Sequence, residues 1–183
     1  MRLREEYKNN LLNYRYGVYL RYIKDLVKWS KTVVDFWCGN FIVASAIITW
    51  LGRWGVYIGV DKKEYDKDEL LVFMRAANRL WVKNIVARHD SRYIPIKKCD
   101  VLVIDTLHNG NQLWAELYDA KNFVEKDIVI LGTSEYGSDG ETEEHLWLDA
   151  AIDKFLKENI DWEVSKKIED SRYWLTTLSR ITN

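Results

Sequence analysis

Aspartate residues stand at or just after the ends of four apolar runs in this chain, at Asp35, Asp61, Asp90 and Asp105. Uninterrupted apolar, β-branched runs of this length are typical of buried strands. In an open parallel sheet, ligands bind at the carboxyl ends of the strands. Because packing does not require an acid at these positions, the pattern predicts a site for a polar ligand at this edge of the sheet.

Two residues near these strand ends suggest particular chemistry. Asp61 ends the second predicted strand, about 20 residues beyond the first turn, where an acid commonly accepts hydrogen bonds from ribose hydroxyls. The alternative for Asp61 is a surface acid or a helix cap. His108 could act as a general base, since an unperturbed imidazole titrates near pH 6.5. The alternative for His108 is a loop histidine that orients Asp105 or the backbone.

The elements that would position these residues alternate along the chain. A helical segment is predicted over 1–30, with further helices at 41–51, 66–81, 111–124 and 143–158. Strands are predicted at 32–37, 55–61, 83–88, 100–105, 127–131, 162–168 and 173–180. The last two strands have no helix between them and should pair as a hairpin. The pattern predicts one α/β domain over 1–183, with a parallel sheet covered on both faces by helices.

Composition and charge narrow the class of protein. The 183 residues are 48% apolar and 14% aromatic, which excludes a disordered chain. A net charge of −1 argues against nucleic-acid binding through bulk charge. Residues 1–31 carry eight basic and three acidic groups among tyrosines. An amphipathic helix that packs on the sheet or on a second subunit explains that pattern more simply than single-stranded nucleic acid does.

Cysteine usage and one apolar stretch bear on compartment. Cys38 and Cys99 form no CxxC motif and imply neither a metal site nor a disulfide framework, so a reducing, cytoplasmic compartment is predicted. Between residues 41 and 60 only Arg53 is charged, and a run of that length could span a bilayer. Gly52 and Gly55 interrupt it, and they favour a buried helix followed by a buried strand over a membrane span.

Six short motifs lie between about residues 31 and 181: Val33-Val34-Asp35 with Gly39, Tyr57-Ile58-Gly59-Val60-Asp61, Asp90-Ser91 before Ile94-Pro95, Leu102-Val103-Ile104-Asp105-Thr106-Leu107-His108, Glu135-Tyr136-Gly137 and Trp174-Leu175-Thr176-Thr177-Leu178. With them the chain resembles the class I S-adenosylmethionine-dependent methyltransferases, and more closely the cephalosporin-hydroxylase-like and sugar O-methyltransferase-like branch. The resemblance implies a Rossmann-like three-layer sandwich. Its mostly parallel seven-stranded sheet would end in an antiparallel C-terminal hairpin.

The resemblance also implies a site. The residues implied to bind S-adenosylmethionine are Asp35, Trp37, Gly39 and Asn40 near its methionine part, Asp61 near the ribose, and Asp90 and Ser91 near the adenine, with Lys62 as a further cofactor-binding residue. Asp105 and His108 would line the methyl-transfer end as catalytic residues. The expected partners are a small-molecule or sugar substrate and, through the N-terminal helical segment, a second copy of the chain. Neither a membrane nor a nucleic acid is expected.

The first loop departs from the family pattern. The family loop is rich in glycine, because its backbone approaches the cofactor closely and turns sharply. Here Trp37 and Phe41 stand where glycine would be expected, and only Gly39 remains. Two functions therefore stay open: methyl transfer from S-adenosylmethionine to a small-molecule or sugar hydroxyl, or a methyltransferase fold that has lost cofactor binding and serves as a binding or assembly module.

Some relatives also hold a divalent metal with acids at the ends of strands four and five. Here the fifth strand ends in Leu131-Gly132-Thr133 and offers no acid before Glu135. Asp105 alone is a poor magnesium site, because magnesium needs several oxygen ligands. The sequence therefore predicts no catalytic metal.

Overall fold

Helices and strands alternate along the chain in the computed structural model, which describes residues 3–12, 17–39, 41–62, 64–91, 98–106, 109–133, 147–170 and 173–182. The helices in these ranges are α1 (Leu3–Leu12), α2 (Gly17–Val27), α3 (Ile42–Trp50), α4 (Lys67–Asn78), α5 (Gly110–Ala120) and α6 (Leu148–Glu158). The strands are β1 (Thr32–Phe36), β2 (Val56–Asp61), β3 (Lys83–Arg88), β4 (Cys99–Ile104), β5 (Val124–Leu131), β6 (Trp162–Asp170) and β7 (Tyr173–Arg180). They form a mostly parallel seven-stranded sheet in the order β3-β2-β1-β4-β5-β7-β6, flanked by helices. The α/β fold predicted from the sequence is confirmed.

The apolar stretch between residues 41 and 60 forms two elements, as its glycines predicted. It contains α3 and most of β2, with a turn around Gly52 and Arg53 between them. Across the described ranges, no helix combines the length and the apolar character that crossing a bilayer requires.

Residues 1–93 form one compact unit. Its three strands are parallel, with β2 between β1 and β3, so that Thr32 lies beside Val56 and Val56 beside Lys83. Helices α1 and α2 pack against α3 and fully bury Leu20 and Ile23. The amphipathic pattern of the N-terminal segment thus serves packing within this unit.

Residues 94–183 form a second compact unit. Strands β4 and β5 are parallel, whereas β7 runs antiparallel to both β5 and β6 and lies between them. The hairpin expected from the last two strands is therefore confirmed. Helices α5 and α6 pack together, and the core of this unit includes Leu117, Ile128 and Phe155, which are fully buried.

Several boundaries differ by a few residues from the sequence prediction, and the hydrogen bonds explain the one between α5 and β5. A helix was expected to run to residue 124 and a strand to start at 127, but α5 ends at Ala120 and β5 begins at Val124. The Phe123 N–H donates to the Ala120 carbonyl, and the Phe123 carbonyl accepts from the Cys99 N–H at 2.9 Å. This pairing between residues distant in sequence overrides the local helical pattern.

Candidate functional site

The loop between β1 and α3, residues 37–41, forms one side of the candidate site. Trp37, Gly39 and Phe41 have φ angles of 69°, 51° and 59°, all in the left-handed region. Asn40 lies outside the described residues. The Trp37 N–H donates to the Val60 carbonyl at 2.6 Å, and the Phe41 N–H donates to the Cys38 carbonyl at 2.8 Å. The loop therefore keeps a glycine-type backbone at the two positions where the sequence has large aromatic residues.

Packing compensates for this backbone at Phe41. A left-handed residue other than glycine costs roughly 1–2 kcal/mol. Phe41 is fully buried, and its ring stacks on Phe73 with centroids 4.1 Å apart and on Tyr65 with centroids 4.8 Å apart. Burial of a large apolar side chain is worth about 1.5–3 kcal/mol, enough to offset the strain. Trp37, in contrast, is 44% exposed.

Asp61 binds this loop from the end of β2. Its Oδ2 accepts hydrogen bonds from the Gly39 N–H at 3.0 Å and from the Tyr65 hydroxyl. Asp61 is only 3% exposed, and the N-cap of the following helix is Asp66, so Asp61 is neither a surface acid nor that helix's cap. Burial and the bond to Asp61 raise the pKa of Tyr65 well above its ordinary value, so the phenol stays protonated and donates.

A second buried carboxylate lies beneath the loop. Asp35 is fully buried, and its Oδ2 accepts a hydrogen bond from the Tyr57 hydroxyl at 3.0 Å. Burial, with the Asp35 charge as a further cause, raises the pKa of Tyr57 well above its ordinary value. For the same two reasons the pKa of the Cys38 thiol rises to about 12. Asp35, predicted to face the cofactor, thus lies in the interior below the loop.

Gly59 makes this arrangement possible. It lies beside Asp35 in the β1–β2 register. A Cβ at this position would lie 2.6 Å from Cys38 Sγ and 2.8 Å from the Tyr57 hydroxyl. Cβ atoms do not approach other atoms so closely, so a side chain at this position would require Cys38 Sγ and the Tyr57 hydroxyl to move.

The end of β3 joins the same edge of the sheet. The His89 N–H donates to the Asp61 carbonyl at 2.9 Å, which extends the β2–β3 pairing by one residue. Lys62 Nζ lies 3.1 Å from Asp90 Oδ2. The structure therefore brings together Asp61, Lys62 and Asp90, three residues that the sequence assigned to one cofactor. Ser91 follows directly in sequence.

The predicted catalytic residues belong to the second unit. Asp105 follows the last residue of β4, and burial raises the pKa of its carboxyl group to about 7. His108 lies outside the described residues. Both stay predictions for catalysis. A carboxyl group with this pKa exchanges its proton near neutral pH, which suits a general base.

A buried glutamate anchors the segment after Asp105. Glu116 on α5 is 1% exposed and accepts hydrogen bonds from Thr106 Oγ1 at 2.8 Å and from Gln112 Nε2 at 3.0 Å. Asn109 caps α5 by accepting from the Gln112 N–H at 2.9 Å. These bonds fix the residue that follows Asp105 to the helix, so Glu116 acts as a positioning residue for the end of β4.

Sequence reasoning missed four residues of the first unit's site: Tyr57, Gly59, Tyr65 and Phe73. For Tyr57 a signal existed, because Tyr57, Gly59 and Asp61 alternate along β2 and must share one face of the strand. For Phe73 no signal was available, because its contact with Phe41 depends on how α4 packs. Tyr65 precedes α4, and no sequence pattern marks its bond to Asp61.

Among the residues that the structure describes, no group of three or more histidine, cysteine, aspartate or glutamate side chains could hold a metal ion. Glu135, which the sequence analysis considered, lies outside them.

Solved structures of other proteins share this architecture. No protein-family model and no curated protein sequence matches the chain. A Clostridium thermocellum protein assigned as an rRNA methylase is 18% identical, with a TM-score of 0.66, and the match covers 92% of this chain and 96% of that one. An O-methyltransferase family protein from Burkholderia thailandensis is 16% identical, with a TM-score of 0.62, covering 88% of this chain and 55% of that one.

A third structure contains a cofactor. Fibrillarin from Aeropyrum pernix, solved with natively bound S-adenosylmethionine, is 15% identical, with a TM-score of 0.58 and a match over 84% of this chain and 68% of that one. These likenesses show that the chain has the fold of the class I S-adenosylmethionine-dependent methyltransferases, as its sequence motifs implied.

Proposed function

We propose that this chain is an S-adenosylmethionine-dependent methyltransferase that acts on a hydroxyl group of a small molecule or sugar. The observation that supports it most is the loop of residues 37–41, with left-handed backbone at Trp37, Gly39 and Phe41 and a bond from Gly39 to Asp61. The proposal includes a cytoplasmic location and self-association through the N-terminal helices. It also places the chain in the sugar O-methyltransferase-like branch of the family, which was inferred from the motifs.

The residues of the first unit fit this cofactor. The left-handed backbone at Trp37, Gly39 and Phe41 gives the sharp turn for which glycine is usually needed, and Gly39 would allow the close backbone approach. The Asp61 carboxylate is a hydrogen-bond acceptor of the kind that a ribose diol requires. Asp90 and Ser91 would lie toward the adenine with Lys62 beside them, and the loop would lie toward the methionine part.

Tyr65 adds a step to cofactor binding. Its hydroxyl donates to Asp61 Oδ2, as a ribose hydroxyl would. We infer that the Tyr65 hydroxyl occupies the place of a ribose hydroxyl and leaves Asp61 when the cofactor binds. The carboxylate then keeps a donor in both states, which avoids the cost of leaving a buried acceptor unpaired.

Bound S-adenosylmethionine supplies an electrophilic methyl group on a sulfonium sulfur. As the acceptor oxygen gains that methyl group, the hydroxyl must lose its proton to a base. We assign that proton to Asp105, because a carboxyl pKa of about 7 leaves much of the group ionised at neutral pH. His108 is the second candidate for the base. Holding the acceptor in line with the methyl group is the other contribution that this chemistry asks of the protein.

One set of observations favours a second function. Trp37 and Phe41 fill positions where glycine would be expected, and Tyr65 already bonds to Asp61. The same features suit a methyltransferase fold that no longer binds the cofactor and acts as a binding or assembly module.

Calorimetry on the full chain separates the two functions. We expect heat of binding for S-adenosylmethionine and S-adenosylhomocysteine, together with a rise in Tm, because a ligand that binds only the folded state stabilises it. Absence of both signals at millimolar ligand would exclude the enzyme and leave the binding module.

A further inference from the structure

Three connecting segments of the first unit share an unusual composition. Residues 28–31, 51–55 and 79–83 lead into β1, β2 and β3, and they read Lys-Trp-Ser-Lys, Leu-Gly-Arg-Trp-Gly and Arg-Leu-Trp-Val-Lys. Together they contain five basic residues, three tryptophans and no acid. We call this surface the basic aromatic edge.

Backbone hydrogen bonds hold the three segments side by side. They run from the Val56 N–H to the Lys31 carbonyl (2.8 Å), from the Lys83 N–H to the Gly55 carbonyl (2.9 Å) and from the Trp54 N–H to the Trp81 carbonyl (2.9 Å). Because β1, β2 and β3 are parallel neighbours, the segments lie at one edge of the sheet, formed by the amino ends of the strands. The candidate cofactor site lies at the opposite edge, roughly 17–20 Å away across a strand of this length.

The tryptophans of this edge face solvent. Trp29, Trp54 and Trp81 are 79%, 76% and 56% exposed, and the rings of Trp54 and Trp81 lie with centroids 5.4 Å apart. Trp54 and Trp81 also have φ angles of 70° and 62°, a backbone conformation that L-residues rarely adopt. Folding stability gives no reason to hold large apolar side chains both strained and exposed, whereas ligand binding does.

The same three segments also carry exposed cations. Arg53, Arg79 and Lys83 are exposed, and Lys28 Nζ lies 5.1 Å from the centroid of the Trp29 ring. Aromatic rings on which bases stack, together with cations that contact phosphates, form the usual surface for single-stranded nucleic acid. The net charge of −1 argues against nucleic-acid binding through bulk charge, but it does not argue against binding at this local surface.

We propose that the basic aromatic edge binds single-stranded nucleic acid. A single strand fits better than a duplex, because its bases are unpaired and can reach the exposed rings. The exposed rings of Trp54 and Trp81, held side by side, favour a nucleic acid whose bases can stack on them over an acidic peptide, for which cations alone would suffice. The proposal does not depend on methyl transfer, because this edge and the cofactor site lie at opposite ends of the strands.

Fluorescence anisotropy with the full chain and no cofactor tests this proposal. The probes are labelled oligouridine and oligothymidine of about 12 nucleotides, within the site sizes of single-strand binders, and a duplex of equal length. We expect both single strands to bind more tightly than the duplex. Trp54→Ala and Trp81→Ala should each weaken binding about 5- to 150-fold, the range for loss of one stacked base. Tighter binding of oligouridine would identify RNA as the preferred ligand, and tighter binding of oligothymidine would identify DNA.

Charge variants and matched controls complete the test. Arg53→Ala should make the slope of log K against log salt less negative by about 0.7, as expected when one phosphate contact is lost. Trp147→Ala and Lys157→Ala remove an exposed tryptophan and an exposed lysine of the second unit and should leave binding unchanged. Unchanged Tm values would show that the variants are folded.

Three results of the oligonucleotide measurements would overturn the proposal. They are no binding of the single strands at about 50 mM salt, where phosphate contacts are strongest; equal binding of the duplex; and equal losses in the Trp147→Ala control. Trp54-dependent binding of polyglutamate or of phosphatidylserine vesicles, without binding of the oligonucleotides, would assign the edge to an acidic peptide or a membrane and would also overturn it.

Discussion

The Oδ2 atom of Asp61 accepts two hydrogen bonds that differ in their consequences. The bond from the Gly39 N–H holds the loop of residues 37–41 against β2, whereas the bond from the Tyr65 hydroxyl takes up an acceptor position that a ribose hydroxyl would use. The Asp61 carboxylate therefore holds the loop in place and would also bind the proposed cofactor. Variants of Asp61 and Tyr65 should affect cofactor binding in opposite directions.

We expect Tyr65→Phe to tighten S-adenosylmethionine binding by about 0.5–1.5 kcal/mol, because the competing donor is removed. Asp61→Asn should weaken it by about 1–3 kcal/mol, because an amide replaces one of the two acceptor oxygens and leaves ribose hydroxyls poorly paired. Titration calorimetry measures both constants. Glu64→Gln is the matched control, since this neighbouring side chain is 79% exposed. Weaker binding by Tyr65→Phe would refute the inference that the Tyr65 hydroxyl occupies the place of a ribose hydroxyl. Unchanged binding by Asp61→Asn would show that the ribose does not bind at Asp61.

At the scale of elements, strand β2 shows how alternation arranges a site. Tyr57, Gly59 and Asp61 share one face of the strand. The glycine between the two polar residues leaves the space in which Cys38 Sγ and the Tyr57 hydroxyl lie next to β1. From this space the Tyr57 hydroxyl donates to Asp35.

We expect Gly59→Ala to lower the free energy of unfolding by about 1–3 kcal/mol, the usual cost of adding a methyl group to a packed interior. Urea denaturation measures it. Gly52→Ala is the control, because a Cβ there would meet nothing within 4 Å, so its effect should lie between zero and a gain of about 1 kcal/mol. A Gly59→Ala variant as stable as the wild type would show that Cys38 and Tyr57 can move aside at little cost.

Elements were more predictable from the sequence than contacts. The edge strand β3 begins and ends at the expected residues 83 and 88, because its flanking turns and apolar run are local signals. Its position at the end of the second predicted strand was enough to make Asp61 a candidate site residue. The side chains of Trp37 and Phe41 suggested that the glycine-rich loop was lost. The φ angles at both residues are nevertheless left-handed, because tertiary hydrogen bonds and ring packing determine them. Such contacts join residues far apart in sequence, so no periodic pattern in the sequence predicts them.

At the scale of the whole molecule, Asp105 makes stability depend on pH. Burial raises the pKa of its carboxyl group from 3.8 to about 7. Between pH 3.8 and about pH 7 the folded protein holds a proton on Asp105 that the unfolded chain has released. The stabilising effect of this proton is therefore present at low pH and is lost as pH rises. The free energy of unfolding should fall by at most about 1.4 kcal/mol per pH unit in this window.

Asp105→Asn should remove this contribution, because an amide does not ionise. We expect the stability of the variant relative to the wild type to increase from about pH 4 to pH 7, in urea denaturation series run on both proteins. Other titrating groups are common to the two proteins and cancel in the comparison. Parallel pH profiles would show that the Asp105 carboxyl group titrates in the folded protein as it does in the unfolded chain.

The position of β7 also has a consequence for biosynthesis. β7 follows β6 in sequence yet lies between β5 and β6, and Arg180 at its end bonds to the carbonyls of Lys121 and Val124. While the ribosome still covers β7, the strand β5 has no antiparallel neighbour and β6 has no partner in the register of the finished sheet. The second unit must therefore complete its sheet after translation has passed residue 180, whereas β1, β2 and β3 of the first unit can pair much earlier.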